Sequence, residues 1–195
     1  MSNGPSQVPT QSFMEHLKNR EGFKESVYLD TLDKPTAGTG HLLTAEENAL
    51  YKVGDKISPE TTNQWLKQDS SKAYSAGFLQ AKELGIEDQG MIEALGSVNF
   101  QLGTGWRDKF KGTWSAMKSG DFNLAASEAQ FVDPSDPSKG TSKWMQQTPT
   151  RVKDFTSALT SYGASQKKTS GADIAMDGMA RIDNPLGPSP RKDFY

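Results

Sequence analysis

Between residue 12 and residue 162 the apolar positions fall mostly at helical spacing, with one short interruption of extended-looking sequence. Met14, Leu17 and Glu21 share one helix face, with Phe13 beside them. Ser12 followed by Glu15 forms a capping-box pattern, and Gly22 supplies the stop. Residues 27–31 and 36–41 then read as two extended runs, joined by Leu32, Asp33, Lys34 and Pro35 as a hairpin turn. Ser58-Pro59-Glu60 opens a long helix that runs to about Leu84, where Gly85 ends it. At about 1.5 Å per residue it reaches roughly 40 Å, enough to join two lobes. Further helices are expected near 89–102, 107–119, 122–131 and 149–162, the last with Val152, Phe155 and Leu159 as its apolar stripe.

This pattern predicts an α+β fold that is mostly helical. A small N-terminal α/β lobe with a β-hairpin spans 12–57, a connecting helix spans 58–84, and a larger helical lobe spans 85–162, with a cleft between the lobes. Three stretches read as loops or tails: a polar N-terminal extension at 1–11, the turn-rich segment 133–142, and residues 163–195. By composition the last is either a mobile tail or a segment that docks on a partner.

Composition narrows the chemistry. The 195 residues contain no cysteine, which excludes a disulfide scaffold, a thiolate metal site and a cysteine nucleophile. His16 and His41 are the only histidines, too few for a histidine metal cage, and neither a metal nor a cofactor is expected. Lys and Arg number 22 against 24 Asp and Glu, a net charge of −2, which argues against a nucleic-acid binder. No apolar run nears the roughly 18 residues of a membrane span. The polar N-terminus lacks the features of a secretion signal, so the expectation is a protein made in a cytoplasm without its own export route.

Glu21 is the first candidate for chemistry. It ends a helix on the same face as Met14 and Leu17. The helix dipole and apolar neighbours both disfavour a carboxylate there, which raises its pKa and suits a proton donor. The plainer reading is a helix-end glutamate turned to solvent. Asp30 and Thr36 flank a five-residue loop, which a hairpin would bring together at its mouth. A carboxylate and a hydroxyl so placed can hold one water, and with Glu21 across a gap they form a set suited to glycosidic hydrolysis. Their plainer reading is as ordinary turn residues. Asp69 falls on the apolar side of the long helix, four residues after Trp65, and needs a partner there. His41 is the partner expected, in a structural role.

The runs Glu21-Gly22-Phe23, Tyr28-Leu29-Asp30 and Pro35 to Thr44 resemble the catalytic segment of phage-type lysozymes of the T-even kind. The resemblance continues through residues 57–79, Val98 to Gly103 and Trp144 to Arg151, and covers about 12–162. It implies Glu21 as general acid, Asp30 as the carboxylate that positions the attacking water, and Thr36 as its partner. It implies cleavage of the β-1,4 bond between N-acetylmuramic acid and N-acetylglucosamine in peptidoglycan, usually with inversion. Leu42, Phe100, Gln101 and Gln147 match cleft positions near the sugars or peptide stem. Arg151 matches an arginine that pairs with the catalytic glutamate, and His41 with Asp69 matches a structural ion pair.

Three features depart from the family: a pI near 5.7, which removes long-range attraction to an anionic wall, a longer 133–142 loop, and extensions at both ends. The expected partners are glycan strands of peptidoglycan, with phage tail or other virion proteins reached through 163–195, or a separate holin if the enzyme is a free endolysin. A virion-attached muramidase and a free endolysin in the host cytoplasm both fit. So does a reading from another class, a catalytically idle structural or peptidoglycan-binding virion protein with the same fold.

Overall fold

The computed structural model describes residues 4–30 and 32–180, with side chains through residue 167. Helix α1 (Gln11–Glu21) leads into strands β1 (Lys24–Leu29), β2 (Pro35–Gly38) and β3 (His41–Leu42), which form one antiparallel sheet in the order β1-β2-β3. Helices α2 (Ala45–Leu50), α3 (Pro59–Glu83), α4 (Gln89–Leu102), α5 (Trp106–Lys109), α6 (Lys111–Lys118), α7 (Phe122–Gln130), α8 (Lys143–Gln147) and α9 (Pro149–Ala180) follow. The mostly helical α+β class read from the sequence is the one observed. Among the described residues no helix is long and apolar enough to cross a membrane.

Two separate cores organise these elements. Val27, Ala37, Leu43, Ile57 and Trp65 pack under the sheet. A much larger cluster joins α1 and α3 through α9 around Tyr74, Leu95, Trp106, Phe155 and Leu159. Phe13 and Leu17 of α1 belong to this larger cluster, so α1 precedes the sheet in sequence but packs with the helical lobe. α3 serves both, giving Trp65 to the small core and Tyr74 and Ala81 to the large one.

Several boundaries differ from the sequence reading, each for a local reason. Thr10, not Ser12, caps α1, accepting a hydrogen bond from the Phe13 N–H at 3.1 Å. Its hydroxyl also donates to Glu93 at 2.7 Å, a tertiary bond that selects it over Ser12. The second extended run divides at Gly38-Thr39-Gly40, where φ of 61° and 76° at the two glycines turns the chain back and yields a third strand. The helix expected over 107–119 breaks at Phe110, whose ψ of 55° leaves the helical region while its ring packs against Trp106 and Trp144. Helix α9 continues well past 162, because Gly163 lets the helix pass against Phe122, whose ring meets Tyr162 edge-on. Residues 1–3, Thr31, residues 181–195 and the side chains beyond 167 lie outside the described residues; the segment 163–195 read as a docking tail is helical through Ala180 and lies outside them from there on.

The polar N-terminal extension is tied down. Tyr74 Oη donates to the Ser6 carbonyl at 2.9 Å, and the Ser6 N–H donates to Gln89 Oε1 at 2.9 Å. Segment 133–142 also closes on itself, through the Lys139–Asp133 pair at 2.6 Å and a bridge between Phe131 and Thr141.

The closest approach in the large core is between α3 and α4. A Cβ added at Gly77 would sit 2.5 Å from the Gly96 backbone nitrogen, so the two helices touch main chain to main chain. A glycine within a helix costs about 1 kcal/mol relative to alanine, which the close packing offsets. Gly77→Ala is therefore expected to destabilise the protein by about 1–3 kcal/mol despite its better helix propensity, by forcing the helices apart. Thermal unfolding checks this, and a raised Tm would contradict it.

Candidate active site

Glu21 is the last residue of α1, where Gly22 breaks the helix. Its side chain is mostly buried and takes a hydrogen bond and ion pair from Arg151 Nη2. Arg151 lies in the first turn of α9, 7% exposed, and its Nη1 donates to Ser97 Oγ of α4 at 2.6 Å. Burial raises the Glu21 pKa above its ordinary value, and the adjacent Arg151 charge only partly opposes this. The contest between burial and the arginine, which the sequence leaves open, goes to burial.

A second ion pair runs beside the first with reversed polarity. Arg20 Nε lies 2.8 Å from Asp154 Oδ2, and Arg20 Nη2 donates to Asp154 Oδ1 at 3.0 Å. His16 is 3.9 Å from the same carboxylate. Burial lowers the His16 pKa, and Arg151 adds to that effect. The end of α1 is thus fastened to the start of α9 by crossed charges.

Asp30 and Thr36 both bond to the Lys34 backbone in the β1–β2 turn. Asp30 Oδ1 accepts from the Leu32 and Lys34 N–H groups at 2.8 and 2.9 Å. Thr36 is buried, and its hydroxyl donates to the Lys34 carbonyl at 3.1 Å. Both side chains therefore shape the turn. Among the described residues Asp30 Oδ2 carries no hydrogen bond, which leaves that oxygen to face a ligand or water. Tyr28 stands opposite Thr36 in the sheet register. Burial raises its pKa, and the charges of Asp30 and then Glu21 add to the rise, so one hydroxyl lies within electrostatic reach of both carboxylates. The sequence reading noted Tyr28 within its motif but assigned it nothing.

His41 is bracketed rather than singly paired. Its Nδ1 is 2.7 Å from Asp69 Oδ2 and its Nε2 is 2.9 Å from Glu47 Oε2, with the ring stacked on Trp65 at 4.4 Å. Glu47 was not foreseen, although Thr44 and Glu47 form a capping box at the start of α2 that is readable in the sequence. Burial disfavours the imidazolium, but the hydrogen bonds that Asp69 and Glu47 accept from it, with their charges, outweigh burial and raise the His41 pKa.

Leu42 and Phe100 line one cavity of about 470 Å³, together with His41 and Asp69. Leu42 is half exposed there. Gln101 points elsewhere: its Oε1 accepts from Trp144 Nε1 at 3.1 Å, and it borders a separate cavity of about 350 Å³ with Phe13 and Arg151. Gln147 is exposed at the end of α8 and has no hydrogen bond to the other candidates among the described residues. The four positions read as one substrate-contacting set are therefore not brought to one cavity.

Burial thus makes the Glu21 carboxyl easier to protonate, and the β1–β2 turn that follows carries a second carboxylate, Asp30. The sequence profile of the phage lysozyme family matches residues 18–136 of this chain, which takes in Glu21, Asp30, Thr36, His41 and Asp69. The chain belongs to that family. It is also 31% identical over 144 residues to the peptidoglycan hydrolase gp36 of Pseudomonas phage phiKMV, an alignment that covers 74% of this chain and 14% of that protein. The chain thus spans about a seventh of that relative's length.

The bracketing of His41 has a pH signature. Because its folded pKa is raised above 6.5, its stabilising effect is fully present below that value and is lost as pH rises through the folded pKa. His41→Gln should cost about 1–3 kcal/mol near pH 5 and less near pH 9. Denaturant unfolding at the two pH values checks this, and an equal cost at both would refute it.

Proposed function

We propose that this protein is a muramidase that hydrolyses the β-1,4 bond between N-acetylmuramic acid and N-acetylglucosamine in peptidoglycan. The observation that carries the reading is the buried, pKa-raised Glu21 held by Arg151, inside a segment that matches the phage lysozyme family. Protonated Glu21 gives its proton to the glycosidic oxygen as the bond breaks. Asp30, through the Oδ2 that carries no hydrogen bond among the described residues, and Thr36 orient a water for attack on the anomeric carbon from the opposite face. The product then has inverted configuration. Arg151 stabilises the carboxylate that Glu21 becomes once the proton has left. Tyr28, opposite Thr36 in the sheet and sensitive to both acids' charges, is assigned to order that water. The relative's name supports the substrate class.

Glu21→Gln should lower reducing-sugar release from purified peptidoglycan by about 10³-fold while the fold survives. Undiminished turnover by that variant would defeat the assignment.

The arginine sets the working pH. Activity needs Glu21 protonated, so it falls as pH rises through the Glu21 pKa. Arg151 lowers that pKa, so Arg151→Gln leaves burial unopposed and raises it. The alkaline limb of the kcat/KM profile should therefore move to higher pH, even if the maximum rate falls. A limb that moves to lower pH would contradict the role given to the pair.

A further inference from the structure

The cavity beside Leu42 and Phe100 carries one charge that the mechanism does not use. Its wall includes Asp69, His41 and Lys72. Asp69 is engaged with His41, whose other nitrogen is taken by Glu47. Lys72, exposed one turn further along α3, has no ion pair or hydrogen bond among the described residues, not even with Asp69 three positions before it. The cavity therefore presents a carboxylate that shares one imidazole with Glu47, and an ammonium group without a partner among the described residues. Lysine is a flexible point charge, able to reach an anion whose position varies.

Peptidoglycan supplies such anions. Its glycan strand is uncharged where the acetamido sugars lie in a cleft, but the peptide stem on each muramic acid carries carboxylates. The chain itself has a net charge of −2, so it draws such a substrate in by no overall attraction, and a local cation must supply the match. We infer that Lys72 binds a carboxylate of the peptide stem while Leu42 and Phe100 flank the sugars, which makes Lys72 a residue that selects stem-bearing glycan. The inference rests on the muramidase reading.

The test compares soluble peptidoglycan strands with the same strands whose stem carboxylates have been converted to carboxamides, and with strands stripped of stems by an amidase. The stripped strands keep only the lactyl carboxylate. The wild-type protein should show a KM about three- to tenfold higher on both altered substrates than on native strands, with kcat unchanged. Lys72→Gln should show the raised KM on native strands and no preference among the three. Lys72→Arg, which keeps the charge, should retain the preference. A wild-type KM that ignores amidation, or a Lys72→Gln variant that keeps the preference, would overturn the inference. Stripped strands binding as well as native ones would overturn the assignment to the stem. If wild-type protein releases no reducing ends from any substrate, the muramidase reading itself fails, which is a different result.

Discussion

Glu21 and Arg151 lie 130 positions apart and meet in a place where neither is well solvated. Taking two charges from water costs several kcal/mol per ion, and only close pairing with further hydrogen bonds offsets that. Arg151 meets the requirement by splitting its guanidinium between Glu21 and Ser97, so α1, α4 and α9 converge on one group. The Glu21 carboxyl is held in a fixed place yet remains easy to protonate. A fully satisfied carboxylate would be a poor proton donor, and an unpaired one would turn outward. The partial opposition between burial and the arginine gives the site its character.

The polar network behind this pair keeps α4 in position. Gln80 and Asn99 exchange amide hydrogen bonds at 3.0 and 2.8 Å, and Trp106 Nε1 donates to Gln80 Oε1 at 3.2 Å. Asn99 also donates to the Leu95 carbonyl at 2.8 Å. A buried amide pair satisfied in this way fixes one rotation of α4 against α3, where purely apolar contacts would tolerate several. With the main-chain contact at Gly77 and Gly96, it sets where Ser97 stands and therefore where Arg151 is held.

Much of this was legible before any coordinates. Helix spacing and caps located the long α3 and α4, and the separation of Glu21, Asp30 and Thr36 pointed to a hairpin mouth facing a helix end. Asp69, on the apolar side of its helix, demanded a partner, and His41 met it. What stayed hidden depended on contacts between residues distant in sequence. Nothing in the periodicity of α1 says which core receives Phe13 and Leu17. The crossed pair of Arg20 with Asp154 joins residues 134 positions apart. Gln101 follows Phe100 directly, so a helix turns the two side chains to different faces, and they open on different cavities. The tethering of Ser6 likewise depends on Tyr74 and Gln89, far along the chain.

The division of the two carboxylates between separately packed bodies has a mechanical consequence. Glu21 is rooted in the helical core through α1 and α9, whereas Asp30 belongs to the turn that the sheet's small core supports. The spacing of the two carboxylates is therefore set by neither core alone but by α3, which contributes side chains to both.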